Sequence, residues 1–139
     1  MANTAHSSAE IIKLLFTTDA LATRPTEWFV AAHTGNPGID AADNEVTVGL
    51  DANYERMPVV FDTDVVSDVT RALNDADIAF PASAAAGPYT VQFVSIHTAI
   101  TGGTALAVLS LVPARVVQPG GILRFPIEEL IIEGFCDDN

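Results

Sequence analysis

The chain has 139 residues, 49% of them apolar, and eighteen acids against six bases give a net charge of −12; that is enough for one domain with a sizeable core and short of two. Binding to phosphate backbones or anionic lipid needs clustered Lys and Arg, whereas Lys13, Arg24, Arg56, Arg71, Arg115 and Arg124 are scattered, so nucleic acid and membrane are excluded as expected partners. No apolar run approaches the roughly 20 residues of a membrane-spanning helix, so the mean hydropathy of +0.32 reads as buried subunit interface.

The N-terminus, MANTAHSSAE, has neither a basic stretch nor a long apolar one, so no secretory signal is expected and synthesis in a cytoplasm is the reading. SSAEIIKLLF carries the pattern of a capping box, in which Ser7 accepts from the amide three residues on and Glu10 reaches back to the Ser7 amide. Ile11, Leu14 and Leu15 follow at helical spacing, which predicts a short helix over about residues 7–17 within an N-terminal arm, residues 1–25. Such an apolar face must dock, either on the chain's own β body or on a neighbouring subunit.

From residue 26 the period changes to two. TEWFVAAHT predicts a strand that ends at NPGI, where Pro37 and Gly38 suit the central positions of a type II turn. VTVGL and NYERMPVVF read as further strands, with Pro58 placing the second at an edge or a bulge, since proline has no N–H for a ladder. DTDVVSDVTRALNDADIAF is ambiguous. Val65, Val69 and Leu73 fall at helical spacing, but the β-branched density favours strands. YTVQFVSIHT, ALAVLSLV, ARVVQ, ILRFP and ELIIE are short β-type runs separated by TGG, PGG and prolines. The spacing is too tight for crossover helices. A mainly β domain over residues 26–135 is therefore expected, an antiparallel sandwich or barrel-like single domain, followed by an acidic tail at residues 136–139. Cys136 stands alone in that tail, which leaves no intramolecular disulfide.

Residues able to do chemistry are sparse. His33 and His97 each stand in the phrase strand, His, Thr, turn, and Ser95 lies two residues before His97 on the same strand face. A bare Ser-x-His is not a nucleophile motif, and no G-x-S-x-G, H-E-x-x-H or Walker pattern is present. Half-buried rings at strand ends are the expected role, with no catalytic residue and no cofactor. Asp40, Asp43, Asp62 and Asp64 lie in acidic loops where oxygen ligands for a hard cation are conceivable, but the spacing does not fit an EF-hand and solvated loop charge is the plainer reading. Trp28 and Tyr54 are ring residues of the kind found at interface cores, with core packing the alternative for Trp28. Arg56 has no evident reason to be buried within one chain, which points it at an acidic group on a neighbour.

WFVAAHTGNPG, NEVTVGLDANYERMPVVF, NDADIAFPA and YTVQFVSIHTAITGGTALAVLSLVPARVVQPGGILRFPIEELII, in that order over residues 26–132, resemble a family of small tailed-phage virion proteins. The matching positions are Ala31, Thr34, Pro37 and Gly38 in the first turn, then Tyr54, Arg56, Pro58, Val59 and Phe61, then Ile78, Phe80, Pro81 and Ala82. Gly102, Gly103, Leu106, Gly120 or Gly121, Leu123 and Phe125 close the pattern. His33, His97 and Pro126 depart from it. Proteins similar to these are labelled head decoration (cement) protein or tail fibre protein. The resemblance implies a structural virion component. The expectation drawn from it is a capsid decoration protein, trimeric by analogy, with itself and the major capsid protein as partners and the capsid surface as its place; the alternative is a tail or tail-fibre module facing a host receptor. Interface residues are expected among Ile11, Leu14, Leu15, Trp28, Tyr54 and Arg56.

Overall fold

The period of two along the chain resolves into antiparallel strands in the computed structural model, which describes residues 2–133. The elements in order are β1 (Ala2–Asn3), α1 (Ala5–Phe16), β2 (Trp28–His33), β3 (Met57–Val59), β4 (Phe61–Val66), β5 (Val69–Asn74), β6 (Ile78–Ala79), β7 (Tyr89–His97), β8 (Ala105–Val117), β9 (Arg124–Phe125) and β10 (Ile131–Glu133). They form a five-stranded sheet ordered β1-β8-β7-β2-β3, a three-stranded sheet ordered β10-β5-β4, and the pair β6-β9. The expected mainly β domain with one short N-terminal helix is what forms. The tail at residues 136–139, with Cys136, lies outside the described residues.

Registry decides which side chains share a face. Val30 pairs with Ile96 and Ala32 with Val94, while Ile96 and Val94 pair onward with Ala107 and Leu109. These six line one face of the large sheet and meet Ile78, Phe80, Leu123, Phe125 and Leu130 in one core. Phe125 is fully buried there, so truncation to alanine would cost about 3–5 kcal/mol. The opposite face carries Ala31, His33, Ser95 and His97, and it too is buried. The long segment between β2 and β3 covers it, with Ala41 packed on Phe93, Ala105 and Val108.

Several local expectations change. The helix starts two residues earlier than expected, and its cap is Thr4, whose Oγ1 accepts from the Ser7 amide. Ser7 is not the cap, because Thr4 is locked by donating its hydroxyl to the Ala105 carbonyl at 2.6 Å, which fixes the start of the helix on β8. VTVGL is not a strand. Val46 keeps one bond to the Ala32 carbonyl, and Thr47 then begins a turn closed by the Leu50 and Asp51 amides. Buried Asp51 holds that turn inward by accepting from the Asn53 and Ala84 amides and from the Tyr89 hydroxyl.

The ambiguous stretch forms the hairpin β4–β5, whose Ser67 and Asp68 take φ of 51° and 65°, the geometry of a tight primed turn. ALAVLSLV and ARVVQ, expected as two runs, belong to one strand, β8. Within it residues 111–114 stand opposite the single residue Gln92, a bulge that accommodates Pro113. Pro58 does sit in an edge strand, β3, as its missing N–H requires.

Candidate functional site

The buried polar face is built by strand pairing. Antiparallel β2 and β7 set Ala31 opposite Ser95, so His33 and His97 flank the serine from either side. The Ser95 Oγ lies 2.7 Å from Nε2 of His33 and 2.7 Å from Nε2 of His97, while His33 Nδ1 is 2.8 Å from the Asp43 carbonyl oxygen. The direction of each bond follows by elimination. A carbonyl only accepts, so His33 Nδ1 carries the proton and its Nε2 accepts from the Ser95 hydroxyl. Ser95 then accepts from Nε2–H of His97, which leaves His97 Nδ1 as a bare acceptor. Among the described residues it is the one buried side-chain polar atom with no partner.

Burial pushes both histidines below the usual imidazole range. For His97 the nearby Arg56 charge adds to the effect and the value falls to about 4, with Glu45 opposing. For His33 the bond to Asp43 and the Glu45 charge oppose burial without overcoming it. Both rings are therefore neutral at pH 7, as the bond directions require. A serine hydroxyl donating to an oriented histidine is the geometry of an activated nucleophile, but Ser95 is 0% exposed. The chain of bonds orients β2 on β7 and offers no opening to a substrate. The rings are fully buried rather than half-buried at strand ends.

Beside this chain stands a second polar cluster. Arg56 grips Glu45 with two bonds, Nε to Oε2 at 2.9 Å and Nη2 to Oε1 at 2.8 Å, and its Nη1 donates to the Ala99 and Gly102 carbonyls. The Tyr54 hydroxyl donates to Glu45 Oε2 and accepts from the Ala32 amide. Burial pushes the Glu45 carboxyl up, but the Arg56 and Tyr54 bonds outweigh it and hold the group below its ordinary value. The Glu45 bond also raises Arg56. The acid expected for Arg56 on a neighbour is thus Glu45 of the same chain. Glu45 carried no signal of its own, since it sits in the D-N-E run read as loop charge and lies 11 residues from its partner. Tyr54 also stacks on Phe80, with centroids 6.1 Å apart.

The arm presents the other candidate surface. α1 touches the body mainly at β8, through Thr4 and through the Ser7 hydroxyl donating to the Leu106 carbonyl, and none of its residues is buried. Behind it runs a groove of about 810 Å³ between the helix and the sheets, lined by Ile11, Leu14, Trp28, Phe61, Leu106 and Ile132 among others. Trp28 is half-buried against the core as well, so it serves both the core and the groove wall. Leu14 and Leu15 stand 63% and 64% exposed. Docking of the helix on the chain's own β body is therefore incomplete.

Compared with known families, residues 2–133 match the one described as Podophage GP4 fiber I protein gp80. The chain belongs to this family. It is a family of phage virion proteins, and the match spans the arm, both polar clusters and all the described strands. No curated protein matches the chain.

In this gp80-family chain four of the five glycines expected at turns lie in the left-handed region of the backbone. Gly38, Gly102, Gly103 and Gly120 take positive φ. The close approach at Gly103 is tight enough that a Cβ would meet Ala99 Cβ at 2.8 Å. Pro37 is buried beside Gly38, Pro81 follows β6, and the Gly121 amide donates to the Gln118 carbonyl at the PGG turn. The acids do not converge. Asp64 is engaged by Arg71 across the β4–β5 hairpin, Asp43 uses its backbone for His33, and Asp40 and Asp62 are exposed. Among the described residues no group of three or more His, Cys, Asp or Glu side chains is placed to hold a metal ion, and no helix is long and apolar enough to cross a membrane.

Proposed function

We propose that the chain is a structural subunit of a tailed phage's tail-fibre apparatus, a β module that assembles with copies of itself, three by analogy, and with neighbouring virion proteins. The observation that carries this is the match of residues 2–133 to a family described as a fiber protein. It favours the tail-fibre alternative over the capsid-decoration reading. Physical support comes from the body. Two buried polar clusters and a shared apolar core tie loops of distant sequence into one rigid unit, which suits a part that bears load or presents loops to a host surface, and its role is binding rather than catalysis. The charge of −12 keeps the subunit soluble before assembly and disfavours a nucleic-acid partner.

Copy number tests the proposal. Quantitative mass spectrometry of purified virions is expected to give a few copies per hundred of the major capsid protein, the small multiple that a tail allows. A ratio of roughly one, or one third, would place the chain on the head lattice and return it to the decoration reading.

A further inference from the structure

The polarity of α1 is inverted. Its two charged residues, Glu10 and Lys13, are half-buried and bond each other at 3.0 Å, and Glu10 also accepts from the Ala22 amide of the returning segment. From Ala5 to Phe16, every exposed position is alanine, serine or a large aliphatic or aromatic residue. A helix that stayed in water would place charge outward, and a chain of net charge −12 has acid to spare for it. The outward positions Ala5, Ser8, Ile12 and Leu15 follow the three-and-four spacing of a packing seam, with small residues at the N-terminal half where a partner can come close.

We propose that this outer face of α1, with the groove behind it, is the surface on which a second copy of the same chain docks, the end of α1 at Leu15 and Phe16 from one copy entering the groove of the other. The inference deepens the assembling role proposed above. Both halves are apolar, and the helix cannot fill the groove it walls, because its own Ile11 and Leu14 form one side of it. Area supports a copy as the occupant. Ile12, Leu14, Leu15, Phe16 and Leu21 are 48–74% exposed, which leaves on the order of 500 Å² of apolar surface on the arm alone, at the upper end of what a monomer carries as one patch. Adding the groove walls at Trp28, Phe61 and Leu106 brings the patch toward the ~800 Å² per partner of a stable association.

The test is the solution mass of the full chain by light scattering and sedimentation velocity, for the wild type and for the variants Leu15→Glu and Phe16→Glu. Both positions are exposed in the single chain, so circular dichroism and the thermal midpoint report whether the fold is kept. The wild type is expected as a discrete oligomer, and each variant is expected to weaken association roughly thirtyfold or more, towards the single-chain mass of 14.6 kDa. A wild type that stays monomeric at high concentration overturns the proposal, as does an oligomer that both variants leave intact. So does a monomer that retains a lipid or a foreign polypeptide in the groove. A monomer found at tail copy number in virions loses this inference and keeps the fibre reading; an oligomer found at head copy number does the reverse.

Discussion

At His97 one buried ring ties the protein's stability to pH. The folded ring titrates near 4 against an ordinary 6.5, so the unfolded chain takes up the proton first as the pH falls. Stability is complete above pH 6.5 and is lost progressively between 6.5 and 4, by about 3 kcal/mol from this group, and His33 shifts in the same direction. Urea midpoints measured at pH 7, 5.5 and 4 should decline accordingly, and the decline should flatten in His97→Gln. Arg56 supports a second expectation. Removing it in Arg56→Ala leaves the half-buried Glu45 carboxylate with only Tyr54, at a cost of about 3 kcal/mol, read as a drop in urea midpoint at pH 7. Arg56→Lys should recover little of it, because a lysine cannot make the two-pronged bond to Glu45 or reach both the Ala99 and Gly102 carbonyls. The sequence showed His97 on the face of Ser95, since residues two apart on a strand are neighbours, but not His33, which reaches Ser95 only across the pairing of β2 with β7. It could not show Glu45 meeting Arg56, because loop residues 11 apart obey no period.

Secondary elements were legible to the extent that their signal was periodic. The helix was found because Ile11, Leu14 and Leu15 repeat at its spacing, but its start was misplaced, since the choice between Thr4 and Ser7 as cap is made by the Ala105 carbonyl about a hundred residues away. Thr4→Ala should therefore cost about 1 kcal/mol and loosen α1 selectively, seen as faster amide exchange in residues 5–16 with β7 unchanged. VTVGL has strand composition and is a turn, because buried Asp51 pulls it inward through three bonds; no local preference reports a carboxylate's distant donors. The β7–β8 turn shows the reverse. TGG announced it, and Gly103 at φ 70° has no room for a methyl group. Gly103→Ala should destabilise by about 2 kcal/mol or more in thermal unfolding, since it shifts the same turn that offers carbonyls to Arg56.

For the whole molecule, composition and spacing were enough to announce an antiparallel β body, while the strand order β1-β8-β7-β2-β3 lay beyond them, because which strands pair depends on contacts between segments far apart in sequence. The body and the arm differ in how they are held. β2 and β7 are buried on both faces, whereas α1 has no buried residue, so the single chain should open in two steps. Hydrogen exchange on the monomeric Leu15→Glu variant should show the arm opening at far lower free energy than the sheet. The sheet's borders add one more consequence. One border is the two-residue β1, and the other is the three-residue β3, where Pro58 occupies the middle position. A proline there withholds the amide that an incoming strand would need, and both borders are too short to template a long ladder. Crowded at high concentration on one particle, such subunits do not extend this five-stranded sheet edge to edge, so association through it is left to side-chain fit rather than to open-ended growth of the ladder.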